Sequence, residues 1–131
     1  MNVPQLPQDA ESEIALIGCL LINPDCLDDV VIDIKPFDFH GLRNRWIWEA
    51  VADLRRVHAA VDLLTVTTEL ERSGHLEAIG GVAYLTELIT SVPTSTHAET
   101  YARSVLEAAD RRRLITLATN LAKDAYNPLA D

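Results

Sequence analysis

The thirty residues from His97 to Tyr126 contain neither glycine nor proline. Along them Tyr101, Val105, Ala108, Ile115, Ala118, Ala122 and Ala125 recur at spacings of three, four and seven, with Leu106, Leu114, Leu117 and Leu121 beside them. That period predicts one continuous helix with a wide apolar stripe. At 1.5 Å per residue it would run ~45 Å. A compact chain of 131 residues has a radius of gyration of only about 14 Å, so the helix end must project and its stripe must seek a partner. Asn127-Pro128 stops it.

The rest of the chain reads as shorter helices punctuated by Pro and Gly. Pro4 and Pro7 form an extended lead-in, and Asp9 caps a helix with Ser12 and Glu13 in its first turn. Ile14, Ile17 and Leu21 mark its inner stripe. Gly18 lies among them, and since a helical glycine costs about 1 kcal/mol against alanine, it predicts the close approach of another helix. Asn23-Pro24-Asp25 predicts a stop and a second helix with Leu27, Val30, Val31 and Ile34 on its buried side. After Lys35-Pro36 and Phe37-Asp38-Phe39 comes a helix from about Leu42 to Arg56, with Trp46, Ile47, Ala50, Val51 and Leu54 inward and Trp48 off that stripe. Asp62 caps a helix that Ser73-Gly74 closes. His75 to Ile79 forms a short turn ended by Gly80-Gly81, Val82 to Val92 a further helix, and Pro93 to Thr96 a turn. The fold class is therefore all-α, a compact globule of about five to six helices (1–96) followed by a long C-terminal helix (97–131).

Catalytic and cofactor patterns are absent. Five glycines include no phosphate-binding loop, and neither a zinc-protease pair of histidines nor a nucleophile elbow is present. His40, His58, His75 and His97 are scattered, as are the acidic residues, so catalytic, cofactor-binding and metal-ligating residues are expected to be none. With 11 basic against 20 acidic residues the formal charge is −9, which argues against a sequence-independent grip on nucleic acid. Only 5% of residues are aromatic, too few for a base-stacking platform. The one basic cluster, Arg111-Arg112-Arg113, reads as an exposed helix face or a contact for an acidic partner. Cys19 and Cys26 form no zinc or disulfide framework. With no signal-peptide pattern and no membrane-length apolar run, the chain reads as cytoplasmic and not membrane-bound. The residues alone give an interaction module.

An ordered set of strings goes further. Pro7-Gln8 with Glu11-Ser12-Glu13, then Leu20-Leu21 after Gly18, resembles the opening P-Q-x-x-E-A-E and L-G-x-L-L of the bacterial replicative DNA helicase (DnaB) family. Asp38-Phe39-His40 is similar to its D-F-Y, and Val61-Asp62 with Thr65-Val66 to its V-D-x-x-T-V. Gly74-His75-Leu76, Gly80-Gly81 and Tyr84-Leu85 are similar to its G-x-L-x-x-x-G-G-x-x-Y-L. Val92-Pro93-Thr94, Tyr101-Ala102 and Arg112-Arg113-Leu114-Ile115 are similar to its V-P-T, Y-A and R-R-L-I. The matches are collinear from about Leu6 to Tyr126. His40 stands where the family has Tyr and Asn44 where it commonly has His, both read as loop or cap positions.

The resemblance implies a non-catalytic N-terminal collar domain acting in DNA replication. Its long helix is then the first arm of a helical hairpin that pairs subunits within a hexameric ring. Primase, and in some systems a helicase loader, are the implied partners. ATP and Mg²⁺ belong to a separate motor domain of the parent protein. Tyr84, Ile115, Leu117 and Leu121 are the expected interface anchors, with Arg111 and Arg112 as rim charges. Two alternatives remain at this level: the same-fold helicase-binding domain of a primase, and a free-standing adaptor.

Overall fold

A computed structural model describes residues 5–28 and 32–127, and the described residues are helical, with no strand. The helices are α1 (Ala10–Ile22), α2 (Leu42–Arg56), α3 (Leu63–Ser73), α4 (Leu76–Ile79), α5 (Gly81–Thr90) and α6 (Ala98–Tyr126), with a 3-10 turn at Pro36–Asp38 before α2. Asp9 caps α1 by accepting from Ser12 N at 3.0 Å, and Asp62 caps α3 by accepting from Thr65 N at 2.9 Å. Thr65 Oγ1 returns the bond by accepting from Asp62 N, which closes a capping box. Gly74, at φ +80°, ends α3 in the left-handed conformation that a side chain resists.

α1 lies at the centre and packs against α6, α5 and α2. Leu16, Ile17, Ile47, Leu70, Ile79, Leu85 and Leu88 form the heart of the core. The expected close approach occurs at Gly18: a Cβ there would stand 2.3 Å from Leu88 O of α5 and 3.0 Å from Val92 Cγ2.

Three expectations are corrected. The helix expected after Pro24 does not form in the described residues. Residues 24–28 are turns, with Cys26 N donating to Asn23 O at 3.1 Å and Asp28 N to Asp25 O at 3.1 Å. Asn23 Oδ1 accepts from Asp25 N at 3.1 Å, a local bond that offers the backbone an alternative to the helix. Ile34 is buried from an irregular segment, and Val30 and Val31 lie outside the described residues.

On α2 the two tryptophans exchange roles. Trp48 is buried, packs on Phe39 with ring centroids 4.9 Å apart, and donates from Nε1 to Ile34 O at 3.0 Å. Trp46 is half-buried and stacks on His75 at 4.3 Å. The segment ahead of α2 folds back over its Trp48 side, so α2 is covered more widely than one amphipathic stripe predicts.

The third correction concerns α6. Ala98, Ala102, Val105 and Ala109 are buried against the globule, so the first three turns of α6 pack on it. At about 100° per residue these four occupy one narrow arc, and Leu114, Ala118, Leu121 and Ala125 fall on the opposite face. The single wide stripe is thus two stripes on opposite sides of one helix, and the second begins where the globule stops.

Candidate functional site

A buried polar cluster holds the globule together. Glu13, 2% exposed, comes from the first turn of α1. Its carboxylate accepts from His40 N at 2.8 Å, Gly41 N at 3.1 Å and Asn44 Nδ2 at 3.1 Å. Gly41 has no side chain with which to cap α2, so a carboxylate from another helix does so, a favourable place for negative charge. Asn44 Oδ1 accepts from Tyr84 OH at 2.7 Å, and the Arg43 guanidinium lies 3.8 Å over the Tyr84 ring. Burial pushes the Tyr84 phenol above its ordinary pKa, against the smaller opposing effect of Arg43. Tyr84 is therefore a core residue, 5% exposed, and not a surface anchor. Asn44 is likewise no loop contact but the buried link between α1 and α5.

A second joint fixes α6. Arg112 donates from Nη1 to Pro7 O at 2.9 Å and from Nη2 to Asp38 O at 2.7 Å. Arg113 pairs with the Asp38 carboxylate and with Asp110. Asp38, 2% exposed, also accepts from Lys35 N at 2.8 Å, which closes the 3-10 turn. Burial lowers the Arg112 pKa, and the bond that Arg113 donates to Asp38 raises that of Arg113. Arg112 is thus an internal fastener rather than a rim charge, because two main-chain carbonyls from separate segments take its guanidinium. Arg111 is exposed on the helix, where a rim charge can stand. Pro7 and Glu13 with Asp38, Tyr84 and Arg112 belong to four separate strings of the sequence, and the fold brings them into these two adjoining joints.

Beyond Arg113, every described residue of α6 is exposed. Leu114 is 64% exposed, Ile115 42%, Leu117 59%, Leu121 69% and Tyr126 88%. Of these, Leu114 and the expected anchor Leu121 lie on the outward face, while the expected anchors Ile115 and Leu117 flank it on either side and Tyr126 stands off it at the helix end. Phe37, 71% exposed on the 3-10 turn, was not legible as a surface residue in the sequence. The Arg45 guanidinium stands 4.5 Å from its ring centroid and donates to Phe39 O at 2.8 Å, so the ring is held in place from behind. Phe37, Ala109, Arg112, Arg113, Thr116 and Leu117 line a groove of about 360 Å³ in the corner between the globule and α6.

Among the described residues no group of His, Cys, Asp and Glu is placed to hold a metal ion. Gly74, Gly80 and Gly81, at positive φ, end or start helices. Cys19 is buried and Cys26 half-buried, both free. Among the described residues no helix is long and apolar enough to cross a membrane.

Comparison with known proteins agrees with the architecture. The DnaB-like helicase N terminal domain family matches residues 5–107. The replicative DNA helicase DnaB of Geobacillus stearothermophilus is 42% identical over 120 residues, which is 92% of this chain and 26% of that protein. The replicative DNA helicase DnaC of Bacillus subtilis is 39% identical over the same coverage. The chain thus spans about a quarter of the length of these curated relatives. Among solved structures, the N-terminal domain of DnaB helicase from Mycobacterium tuberculosis superposes with a TM-score of 0.87 at 36% identity, covering 94% of this chain and 89% of that one. A DnaB-like replicative helicase, described with its interactions with primase, superposes with a TM-score of 0.78 at 27% identity, over 90% of this chain and 28% of that one. The all-helical globule, the ordered strings and their convergence in two joints agree with this match over most of the chain: the protein belongs to the DnaB-like helicase N-terminal domain family.

Proposed function

We propose that this chain is the non-catalytic collar part of a replicative helicase, and that it pairs subunits of the ring and docks primase. The observation that carries the proposal is the outward stripe of α6, Leu114 to Tyr126. It starts where the globule's own packing ends and turns away from the globule, so this globule does not cover it. An exposed apolar surface of this extent marks a protein contact. In this reading 1–96 forms the globule and 97–131 the first arm of a helical hairpin within the full-length protein. Leu114, Ile115, Leu117 and Leu121 are the anchors and Arg111 lies at the rim. ATP, Mg²⁺ and most contact with DNA belong to the motor domain, and the protein acts in the cytoplasm. A helicase loader is a further partner in this reading. Support for primase comes from the DnaB-like helicase described with it.

The test is sedimentation equilibrium of the chain, with capture of the cognate primase, for the wild type, Leu117→Asp and Leu121→Asp. Both substitutions are on exposed positions and should leave the circular dichroism spectrum unchanged. Loss of self-association and of primase capture is expected. If both persist undiminished in a folded Leu117→Asp/Leu121→Asp double variant, the stripe is not the contact surface.

A further inference from the structure

The segment ahead of α1 is held against the far end of the chain. Residues 5–9 are not helical, and Pro7 among them is half-buried. Pro7, Gln8 and Asp9 lie alongside α6 and face Ser104, Ala108 and Arg111 across a cleft of about 210 Å³. The 3-10 turn at Pro36–Asp38 meets α6 from the other flank, through Phe37 and Asp38. At about 100° per residue, Ser104 and Ala108 fall on one side of the buried arc of Ala98, Ala102, Val105 and Ala109, and Arg113 and Leu117 on the other. α6 therefore leaves the globule through a cradle. Arg112 ties its two rims together, donating to Pro7 O on one and to Asp38 O on the other.

Apolar packing steers the helix only weakly at that point. The buried arc is three alanines and a valine, side chains too short to interlock deeply. Ala109 is the last of them, and every described residue of α6 from Arg113 onward is exposed. We infer that residues 5–9 are a strap that sets the direction in which α6 leaves the globule, with the bond from Arg112 to Pro7 O as its latch. Asp9 anchors the other end of the strap, accepting from Ser12 N at 3.0 Å and Ser12 Oγ at 2.8 Å. Outside any helix, the Pro7 carbonyl needs a partner that its own neighbours do not supply, and Arg112 provides it. α6 runs ~20 Å beyond Arg112, so a tilt of about 10° there moves its end by ~3–4 Å. Whatever draws the strap away leaves part of a half-buried guanidinium without an acceptor and lets α6 rock about Ala109. The N-terminal segment thereby controls where the far end of α6 points. This concerns the direction of the helix alone and does not depend on what the helix contacts.

Electron paramagnetic distance measurement between spin labels at Glu71→Cys and Ala125→Cys, both exposed positions, in a Cys26→Ser background tests the strap. Deletion of residues 1–7 keeps the Asp9 cap, so the circular dichroism spectrum should hold. The distance distribution should widen or shift by ~3 Å or more. Pro7→Gly, which frees the backbone of the strap but keeps the carbonyl, should give a smaller change of the same kind. In Arg112→Ala the latch is already open, so the same deletion should add nothing. A deleted chain with the wild-type distribution overturns the inference. So does a deletion that widens the distribution as much in Arg112→Ala as in the wild type, because the strap then acts other than through Arg112. Should the deletion unfold the chain, a folded Pro7→Gly variant with the wild-type distribution overturns it equally.

Discussion

Replacing Gly18 by alanine sets two known effects against each other, and the structure decides the sign. In an unobstructed helix, Gly→Ala stabilises by about 1 kcal/mol. At Gly18 the new methyl carbon would stand 2.3 Å from Leu88 O and 3.2 Å from Leu88 C. The closest comfortable carbon–oxygen contact is about 3.3 Å, so α5 must retreat by ~1 Å. It cannot do so freely, because Leu85 and Leu88 are fully buried on the same helix. Overpacking of this kind costs about 1–3 kcal/mol or more, and here the obstacle is backbone rather than a side chain that can swing aside. A backbone obstacle belongs in the upper part of that range, about 2–3 kcal/mol, and subtracting the propensity gain of about 1 kcal/mol leaves a net loss of about 1–2 kcal/mol, or roughly 4–8 °C in Tm for a domain of this size. Urea unfolding followed by circular dichroism measures it, with the slope unchanged and the midpoint lowered. An alanine variant as stable as the wild type, or more so, would refute the reasoning, since it would mean that α1 and α5 do not cross this closely.

Other predictions follow from the two joints and the thiols. Glu13→Ala strands the donors of His40, Gly41 and Asn44 in a site largely closed to solvent and should cost about 2–4 kcal/mol in denaturant unfolding, while Glu13→Gln, which keeps part of the acceptor set, should cost less. Arg112→Ala should lower stability by about 1–3 kcal/mol and broaden the distance distribution between spin labels on the globule and near residue 120, because α6 loses its ties to Pro7 and Asp38. A distribution as narrow as that of the wild type would show that α6 is fixed by apolar packing alone. The Cys26 thiol is pushed up to about 11, chiefly by burial, and Tyr84 is raised as well. Folding therefore favours both protonated forms, and the stabilisation from Cys26 is complete below pH ~9 and is lost as pH rises towards 11. Thermal midpoints should fall across that window and fall less in Cys26→Ser, and a thiol reagent should react slowly with Cys26 at pH 8.

Much of the local structure was legible because it rests on chemistry within a few residues. Asp9, Asp62 and Gly74 mark helix ends by satisfying or releasing backbone groups nearby, and α2, α3 and α6 begin and end within a residue or so of where their caps and stops place them. The second helix failed for the same reason in reverse: Leu27 and Ile34 fit a helical period, but Asn23 bonds its own backbone two residues on and turns the chain. The exchange of Trp46 and Trp48 was not legible, because it depends on Ile34 and Phe39 folding back over α2. Nor was the surface role of Phe37, whose neighbours in the string, Asp38 and Phe39, are both buried.

From its residues alone the chain could be read as helical, with the ends of α1, α2, α3 and α6 placed, a family pattern carried, and a last helix too long for its globule. Tertiary structure decided which face of each helix is inside. Tyr84 looked like an anchor and became core, since Glu13 and Asn44 from distant helices meet its hydroxyl. Arg112 looked like a surface charge and became a fastener, since Pro7 and Asp38 bring carbonyls to it. Helical period reports that a side chain lies on a face, whereas what covers that face depends on contacts between residues up to a hundred positions apart, and only the packed chain supplies those.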